Sequence, residues 1–211
     1  MATCVASRLV NAGQSCIAAK RFVVVENQRQ EFERRFVERM RAVRMGDPLL
    51  EETALGPQAR ADLRDELHQQ VQRSIERGAR CLLGGEVPAG PGAFYPPTVL
   101  SDVRKGMPAY DEELFGPVAA IIPVQGEREA VEVANDSVFG LGSAVFTRDL
   151  ARGERLAETE LEAGACFVNA LVKSDPRGVS NALRRRACGR TALLASGARG
   201  PGSSAERAVA F

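Results

Sequence analysis

The stretch Phe22-Val23-Val24-Val25 joins one aromatic residue to three β-branched residues, and this composition predicts a buried strand. The chain that follows predicts a helix over residues 28–43, because its apolar side chains recur at the spacing of one helical face. These side chains are Phe32, Phe36, Val37, Met40 and Val43. The turn-forming sequence Gly46-Asp47-Pro48 ends the helix. A buried strand followed by an amphipathic helix indicates the βα unit of a parallel sheet.

The same alternation of strands and helices continues along the chain. Further strands are predicted at residues 81–83, 118–124, 143–146 and 166–169, and further helices at 61–77, 127–134 and 150–162. The inward positions of the first and last of these helices are Leu63, Leu67, Val71 and Ile75, and Leu150, Leu156 and Leu161. Gly78 is the predicted C-cap of helix 61–77, and residues 86–98, rich in Pro and Gly, are predicted to be a surface loop. The pattern predicts an α/β fold with a largely parallel sheet flanked by helices.

The alternation stops after Arg177, so we expect one α/β domain over residues 1–177. Residues 178–211 consist mainly of Ala, Gly, Arg and Ser, and neither a helical nor a strand period persists in them. Such a composition buries too little apolar surface to offset the entropy that ordering the chain costs. The sequence therefore predicts a divergent, disordered tail over residues 178–211.

The composition argues against several classes of function. The 211-residue chain has a formal net charge of +1, and the positive excess lies in the Arg-rich residues 178–211, so residues 1–177 are mildly acidic and give no electrostatic reason to expect nucleic acid as a partner. Because no apolar run approaches the ~20 residues that span a bilayer, no membrane segment is expected. The five cysteines are odd in number and fit no zinc spacing, which indicates reduced thiols in a cytoplasmic protein. The single histidine, His68, is predicted to lie on the surface, and we expect no metal site.

Cys16 is a candidate nucleophile. It follows the glycine turn of Asn11-Ala12-Gly13-Gln14-Ser15-Cys16 and precedes an apolar run. A nucleophilic thiol needs open backbone around it, and the small flanking residues provide that. The alternative is a buried structural cysteine, which is the commoner role of this residue. The residues alone leave both interpretations open.

The stretch Asp111-Glu112-Glu113-Leu114-Phe115-Gly116-Pro117-Val118 is a candidate ligand site. Three acidic residues precede an aromatic residue and a turn into a strand, and α/β sheets bind ligands at strand ends. A carboxylate there can accept hydrogen bonds from a sugar diol, and an aromatic side chain can pack against a planar ring. The alternative is an acidic loop that only connects to the strand.

These segments, in this order, resemble the aldehyde dehydrogenase superfamily, over residues 1–177. The most specific matches are Gly13-Gln14-Ser15-Cys16 and Glu112-Glu113-Leu114-Phe115-Gly116-Pro117-Val118. Other matching segments are Gly46-Asp47-Pro48, Leu55-Gly56-Pro57, Gly84-Gly85, residues 95–100 and 135–142, and Val168-Asn169. Within the superfamily, residues 16–22 and Ser174-Asp175-Pro176-Arg177 look most like succinate-semialdehyde dehydrogenases.

The resemblance implies a site and a reaction. By it, Cys16 is the catalytic nucleophile, which attacks an aldehyde to form a thiohemiacetal. Hydride transfer to NAD or NADP then gives a thioester, which water hydrolyses to a carboxylic acid. Glu113 would contact the ribose beside the nicotinamide, and Phe115 would pack near that ribose and ring. By the same resemblance the partner is a small aldehyde, which the succinate-semialdehyde dehydrogenase branch would specify as succinate semialdehyde, and members of the family form homo-oligomers.

The chain also departs from the family pattern. Family members place most of the cofactor domain before the catalytic cysteine, and only 15 residues precede Cys16 here. We therefore expect a catalytic domain truncated on the cofactor-domain side, without the family's general base and assembly elements. Val10 stands where some succinate-semialdehyde dehydrogenases have a carboxylate-binding Arg, and Arg8 is expected to point elsewhere. A non-catalytic remnant or interaction fragment, and a cofactor-free thiol esterase, remain alternatives to a dehydrogenase.

Overall fold

A computed structural model describes residues 1–173 and 191–196 of the chain. Within them, one sheet has the strand order β2-β3-β4-β1-β7-β5-β6. Its strands are β1 (Arg21–Val25), β2 (Arg80–Leu83), β3 (Thr98–Ser101), β4 (Val118–Val124), β5 (Gly142–Thr147), β6 (Ala165–Val168) and β7 (Thr191–Ser196). The edge pair β2–β3 is antiparallel, and every other neighbouring pair is parallel. The predicted largely parallel sheet is confirmed.

The sheet is flanked by helices, as the alternation predicts. They are α1 (Ala2–Leu9), α2 (Glu26–Arg41), α3 (Ala61–Glu76), α4 (Pro108–Asp111), α5 (Glu127–Asn135) and α6 (Leu150–Arg155). A 3₁₀ turn, Val10–Gly13, follows α1, and a π-helical turn, Leu156–Glu160, follows α6. None of the helices in the described ranges combines the length and apolarity needed to cross a membrane.

The core is centred on β1, the strand predicted first. Its residue Phe22 has no solvent exposure, and its ring centroid lies 4.9 Å from that of Phe36 on α2. Phe36 in turn stacks on Phe32 at 5.4 Å. Each buried aromatic side chain contributes roughly 1.5–3 kcal/mol through the hydrophobic effect. This packing holds α2 against β1, the strand that follows the segment containing Cys16.

Three predictions about individual side chains are wrong. Leu63 and Leu150 are 37% and 57% exposed, because both lie in the first turn of their helices and only later turns pack on the core. The buried face of α3 includes Ser74 instead, whose hydroxyl donates to the Gln70 carbonyl at 2.7 Å. His68 is half-buried rather than on the surface, since its Nδ1 lies 3.2 Å from the hydroxyl of the buried Tyr95.

The predicted tail contains a strand. Thr191–Ser196 forms β7, which pairs in parallel with β1 on one side and β5 on the other. The expectation of disorder is therefore wrong for these six residues. It rested on side-chain composition, whereas a strand between two others is held by backbone hydrogen bonds that composition does not report. The remainder of residues 178–211 lies outside the described residues.

Candidate active site

The turn that precedes Cys16 has an unusual backbone. Asn11, Ala12 and Gly13 have φ values of +48°, +54° and +75°, all in the left-handed region. This region costs a non-glycine residue ~1–2 kcal/mol, and such backbone persists only where neighbouring contacts enforce it. Here the Gln14 N–H donates to the Asn11 carbonyl at 2.9 Å, and Asn11 Nδ2 donates to the Gln14 carbonyl at 3.0 Å. The turn delivers Cys16 to an exposed position.

Residues of helix α1 bind the backbone of this turn on its buried side. Arg8 is fully buried, and its Nη2 donates to the Gly13 carbonyl oxygen at 2.8 Å. The Ser7 carbonyl accepts the N–H of Ala19 at 2.9 Å, which ties α1 to the chain beyond Cys16. Burial lowers the pKa of the Arg8 guanidinium to about 9, and the Glu113 carboxylate opposes that shift. Arg8 thus points into the protein, away from the exposed side of the turn.

The acidic loop after α4 packs directly on the turn. A β-carbon at Gly13 would lie 2.1 Å from the carbonyl oxygen of Gly116, so the two backbones touch with no room for a side chain. Gln14 also reaches across to a neighbouring loop, where its Oε1 accepts from the Ala59 N–H at 2.8 Å. The glycine of each stretch therefore allows the Cys16 turn and the acidic loop to meet.

The acidic loop buries Leu114 and leaves the side chains of Glu112, Glu113 and Phe115 partly exposed. Leu114 is fully buried and anchors the loop, while the Phe115 side chain is 42% exposed. The Glu113 side chain is 33% exposed and forms an ion pair with Lys20 at 3.0 Å between Oε1 and Nζ. Gln70 donates to Glu112 Oε2 at 2.9 Å and holds the loop against α3. Glu113 and Phe115 are thus accessible on a fixed loop.

Lys20 links the two stretches electrostatically. Its side chain is 7% exposed, and its pKa is lowered by burial and by the neighbouring Arg8 cation. The Glu113 carboxylate acts in the opposite direction. Lys20 therefore joins the acidic loop to the segment that follows Cys16. The structure brings the predicted site residues to a common region of the molecule.

The remaining described cysteines lie elsewhere. Cys4 is buried, Cys81 is exposed on the antiparallel edge, and Cys166 is half-buried beside Ser143, and none of them forms a disulfide. Within residues 1–173 and 191–196, no group of three or more His, Cys, Asp or Glu side chains could hold a metal ion. Cys16 is the cysteine that follows the left-handed turn, and it is exposed.

Comparison with known proteins decides the family. The profile of the aldehyde dehydrogenase family matches residues 1–181. The chain belongs to the aldehyde dehydrogenase family. It is 49% identical over 186 residues to the succinate semialdehyde dehydrogenase Sad of Escherichia coli (strain K12), whose name specifies NAD(P)+. That match covers 88% of this chain and 40% of the relative. A probable NADP(+) succinate-semialdehyde dehydrogenase of Synechocystis is 42% identical over 186 residues, covering 88% and 41%.

Solved structures of aldehyde dehydrogenases share the fold. Succinic semialdehyde dehydrogenase from Streptococcus pyogenes, in complex with NADP+, is 35% identical with a TM-score of 0.80, over 83% of this chain and 38% of that one. Lactaldehyde dehydrogenase from Escherichia coli is 36% identical with a TM-score of 0.79, over 82% and 36%. The predicted resemblance and fold class are confirmed. The chain spans about 40% of the length of the curated relatives it matches.

The sequence predicts a functional role for Cys16, Glu113 and Phe115 but not for Arg8 or Lys20. Lys20 could have been singled out from the sequence, because it is a charged residue in the otherwise apolar segment that precedes β1. Its partner lies 93 residues away in the chain, so only the fold could pair them. Arg8 carried no such signal, because α1 was not predicted.

Proposed function

We propose that this protein carries the nucleophile of an aldehyde dehydrogenase, which oxidises an aldehyde to a carboxylic acid with NAD or NADP. The observation that supports the proposal is that the turn leading to the exposed Cys16 touches, at Gly13, the loop that presents Glu113 and Phe115. The names of the matched relatives make succinate semialdehyde the first substrate to test. Because the four cysteines in the described part of the chain are free thiols, we place the reaction in the cytoplasm as part of the same proposal.

In this proposal the cofactor meets the acidic loop. Lys20 engages one oxygen of Glu113, which leaves the partly exposed carboxylate able to accept a hydrogen bond from a ribose hydroxyl. The exposed Phe115 offers an apolar surface to a planar ring. These residues fit the nicotinamide–ribose half of NAD or NADP. When bound, the cofactor supplies the acceptor for a hydride.

The chemistry at Cys16 proceeds in two halves. Its thiolate forms a C–S bond to the aldehyde carbon, and the developing oxyanion accepts a hydrogen bond from the Cys16 backbone N–H. Loss of hydride from that carbon restores the C=O bond and leaves a thioester. Water then attacks the thioester, the C–S bond breaks, and the carboxylic acid and the thiol are released. The clamped turn serves this sequence by fixing the sulfur and the N–H together.

An assay of the purified protein with succinate semialdehyde and either NAD or NADP tests the proposal. The absorbance of the reduced nicotinamide should rise, and the rise should vanish in Cys16→Ala. Cys81→Ala, which removes the other exposed cysteine in the described part of the chain, is the matched control and should retain the activity. Activity that survives Cys16→Ala, or that is lost equally in Cys81→Ala, would contradict the assignment.

The exposure of Cys16 also supports a second candidate, a cofactor-free thiol esterase. Hydrolysis of p-nitrophenyl acetate without NAD or NADP distinguishes the two. Ester hydrolysis that depends on Cys16, with no reduced nicotinamide formed from aldehyde and cofactor, favours the esterase. If neither activity is found, a non-catalytic fragment is the better description.

A further inference from the structure

An open groove lies between the C-terminal end of α3 and the loop that follows β3. Its volume is about 590 Å³, which is within the range of sites that hold small organic molecules. Its lining includes no residue of the Cys16 turn or of the acidic loop. The groove is therefore separate from the candidate active site.

The lining of the groove carries more positive than negative charge. Three guanidinium groups and one carboxylate line it, those of Arg77, Arg80, Arg104 and Asp102. Asp102 is shared between Arg80, at 3.2 Å, and Arg29, which does not line the groove. Glu33, the other acidic partner of Arg80, is shared with Arg29 in the same way. Neither Arg77 nor Arg104 has an ion-pair partner in the part of the chain that the structure describes.

The backbone contacts of the loop hold these two arginines at the groove. Arg77 Nη1 donates to the Gly106 carbonyl, which leaves Nε and Nη2 without a partner among the described residues. The Met107 N–H donates to the Arg104 carbonyl at 3.1 Å and closes the turn that carries the Arg104 side chain. Asp111 accepts the Gly106 N–H at 2.8 Å and pairs with neither arginine. Two sets of guanidinium donors are thus available to a ligand.

The groove also has an apolar floor. Ala79 and Met107 line it and are only 5% and 6% exposed. A β-carbon at Gly78 would have a single neighbour within 4 Å, the Met107 Cε at 3.9 Å, so the space above this backbone is open. A cationic rim over an apolar floor suits a molecule that combines an anionic group with a ring.

We propose that this groove binds a phosphate monoester of a ring-containing alcohol, of which a nucleoside monophosphate is the simplest example. Its phosphoryl oxygens would accept hydrogen bonds from Arg77 and Arg104, and its ring would lie on Met107 and Ala79. Guanidinium groups bind phosphate oxygens in a bidentate manner, and a phosphate monoester carries a charge of about −2 at neutral pH, which balances the two unpaired arginines. This binding goes beyond the proposed function and does not depend on Cys16.

Calorimetric titration of the whole chain with AMP at low salt measures the binding. Arg104→Gln and Arg77→Gln should each weaken it roughly tenfold, because each removes charge-assisted hydrogen bonds to the phosphate. Arg128→Gln is the matched control, since it removes the same charge from a side chain on α5 that is 93% exposed. It should change the affinity by less than about twofold, because salt screens a distant charge.

Inorganic phosphate and adenosine, titrated separately, test the two halves of the site. Each should bind more weakly than AMP, because the phosphate lacks the contact with the floor and adenosine lacks the contact with the arginines. Phosphate that binds as tightly as AMP would overturn the assignment of an organic ligand. Adenosine that binds as tightly as AMP would overturn the role of the arginines.

Other results would overturn the groove itself as the site. Equal losses in Arg104→Gln and Arg128→Gln would mean that AMP responds only to general surface charge, and the absence of binding at millimolar AMP would mean that there is no site. Loss of AMP binding in Glu113→Gln, with Arg104→Gln unaffected, would place the nucleotide at the acidic loop instead. Cys16→Ala should bind AMP normally, so a failure of the proposed aldehyde chemistry is distinguishable from a failure of this inference.

Discussion

Gly13 and Gly116 meet backbone to backbone, and this contact joins the cysteine turn to the acidic loop. A β-carbon at Gly13 would overlap the carbonyl of Gly116 and would come within 2.9 Å of the Arg8 guanidinium. At Gly116, a β-carbon would lie 2.3 Å from Leu67 Cδ2 on α3. The contact leaves no space for any other residue at either position.

Gly13→Ala should therefore destabilise the protein by about 2–5 kcal/mol, from the positive φ and from the overlap together. Urea unfolding measures the free energy of unfolding. Gly106→Ala is the matched control, since Gly106 has a φ of +93° and nothing within 4 Å of its β-carbon position. It should lose only about 1–2 kcal/mol. Equal losses in the two variants would show that the contact with Gly116 contributes nothing.

Gln14 should slow the hydrogen exchange of the Ala59 amide in a neighbouring loop. Its Oε1 accepts from the exposed N–H of Ala59, so Gln14→Leu removes the acceptor. The amide hydrogen exchange of Ala59 should become about five- to tenfold faster, which corresponds to the loss of one hydrogen bond of ~1 kcal/mol. Gln69→Leu, at an exposed position of α3, should leave this rate unchanged. An unchanged Ala59 rate in Gln14→Leu would mean that the loop is held by other contacts.

Cys4 should make the fold sensitive to alkaline pH. Burial raises the pKa of its thiol from 9.0 to about 11, so the unfolded chain loses this proton before the folded protein does. The stabilisation that Cys4 contributes is complete below pH 9 and is lost as the pH rises to about 11. Over that range the parent protein should lose about 2–3 kcal/mol more stability than Cys4→Ala. Parallel curves of unfolding free energy against pH for the two proteins would contradict this expectation.

The periodicity of apolar residues predicts the central helices and strands of the fold. It does not predict the elements that depend mainly on tertiary contacts. The strand β1 and helix α2 followed from the strong patterns around Phe22 and Phe36. The loop predicted over residues 86–98 overlaps the first residue of β3, Thr98–Ser101, because Pro96 and Pro97 immediately precede the strand. Helix α1 was not predicted because Ala2–Leu9 is short and mixes small, polar and charged residues.

The candidate site could be predicted only in its exposed part. Cys16, Glu113 and Phe115 stand in stretches whose composition suggests chemistry, and their roles remain predictions. The buried residues near them could not be predicted from local composition. Lys20 matters because it forms an ion pair with Glu113, and no local sequence pattern connects these two residues. Arg8 similarly depends on the carbonyl of Gly13, whose position is set by three left-handed residues in succession.

Carbon NMR of the protein with succinate semialdehyde, isotopically labelled at its aldehyde carbon, tests the central claim most directly. The claim is that Cys16 is the nucleophile that adds to the aldehyde, and the measurement needs no cofactor. We predict a new thiohemiacetal carbon resonance that is present in the parent protein and in Cys81→Ala and absent in Cys16→Ala. A resonance that persists in Cys16→Ala, or none at saturating aldehyde in a folded parent protein, would contradict the account.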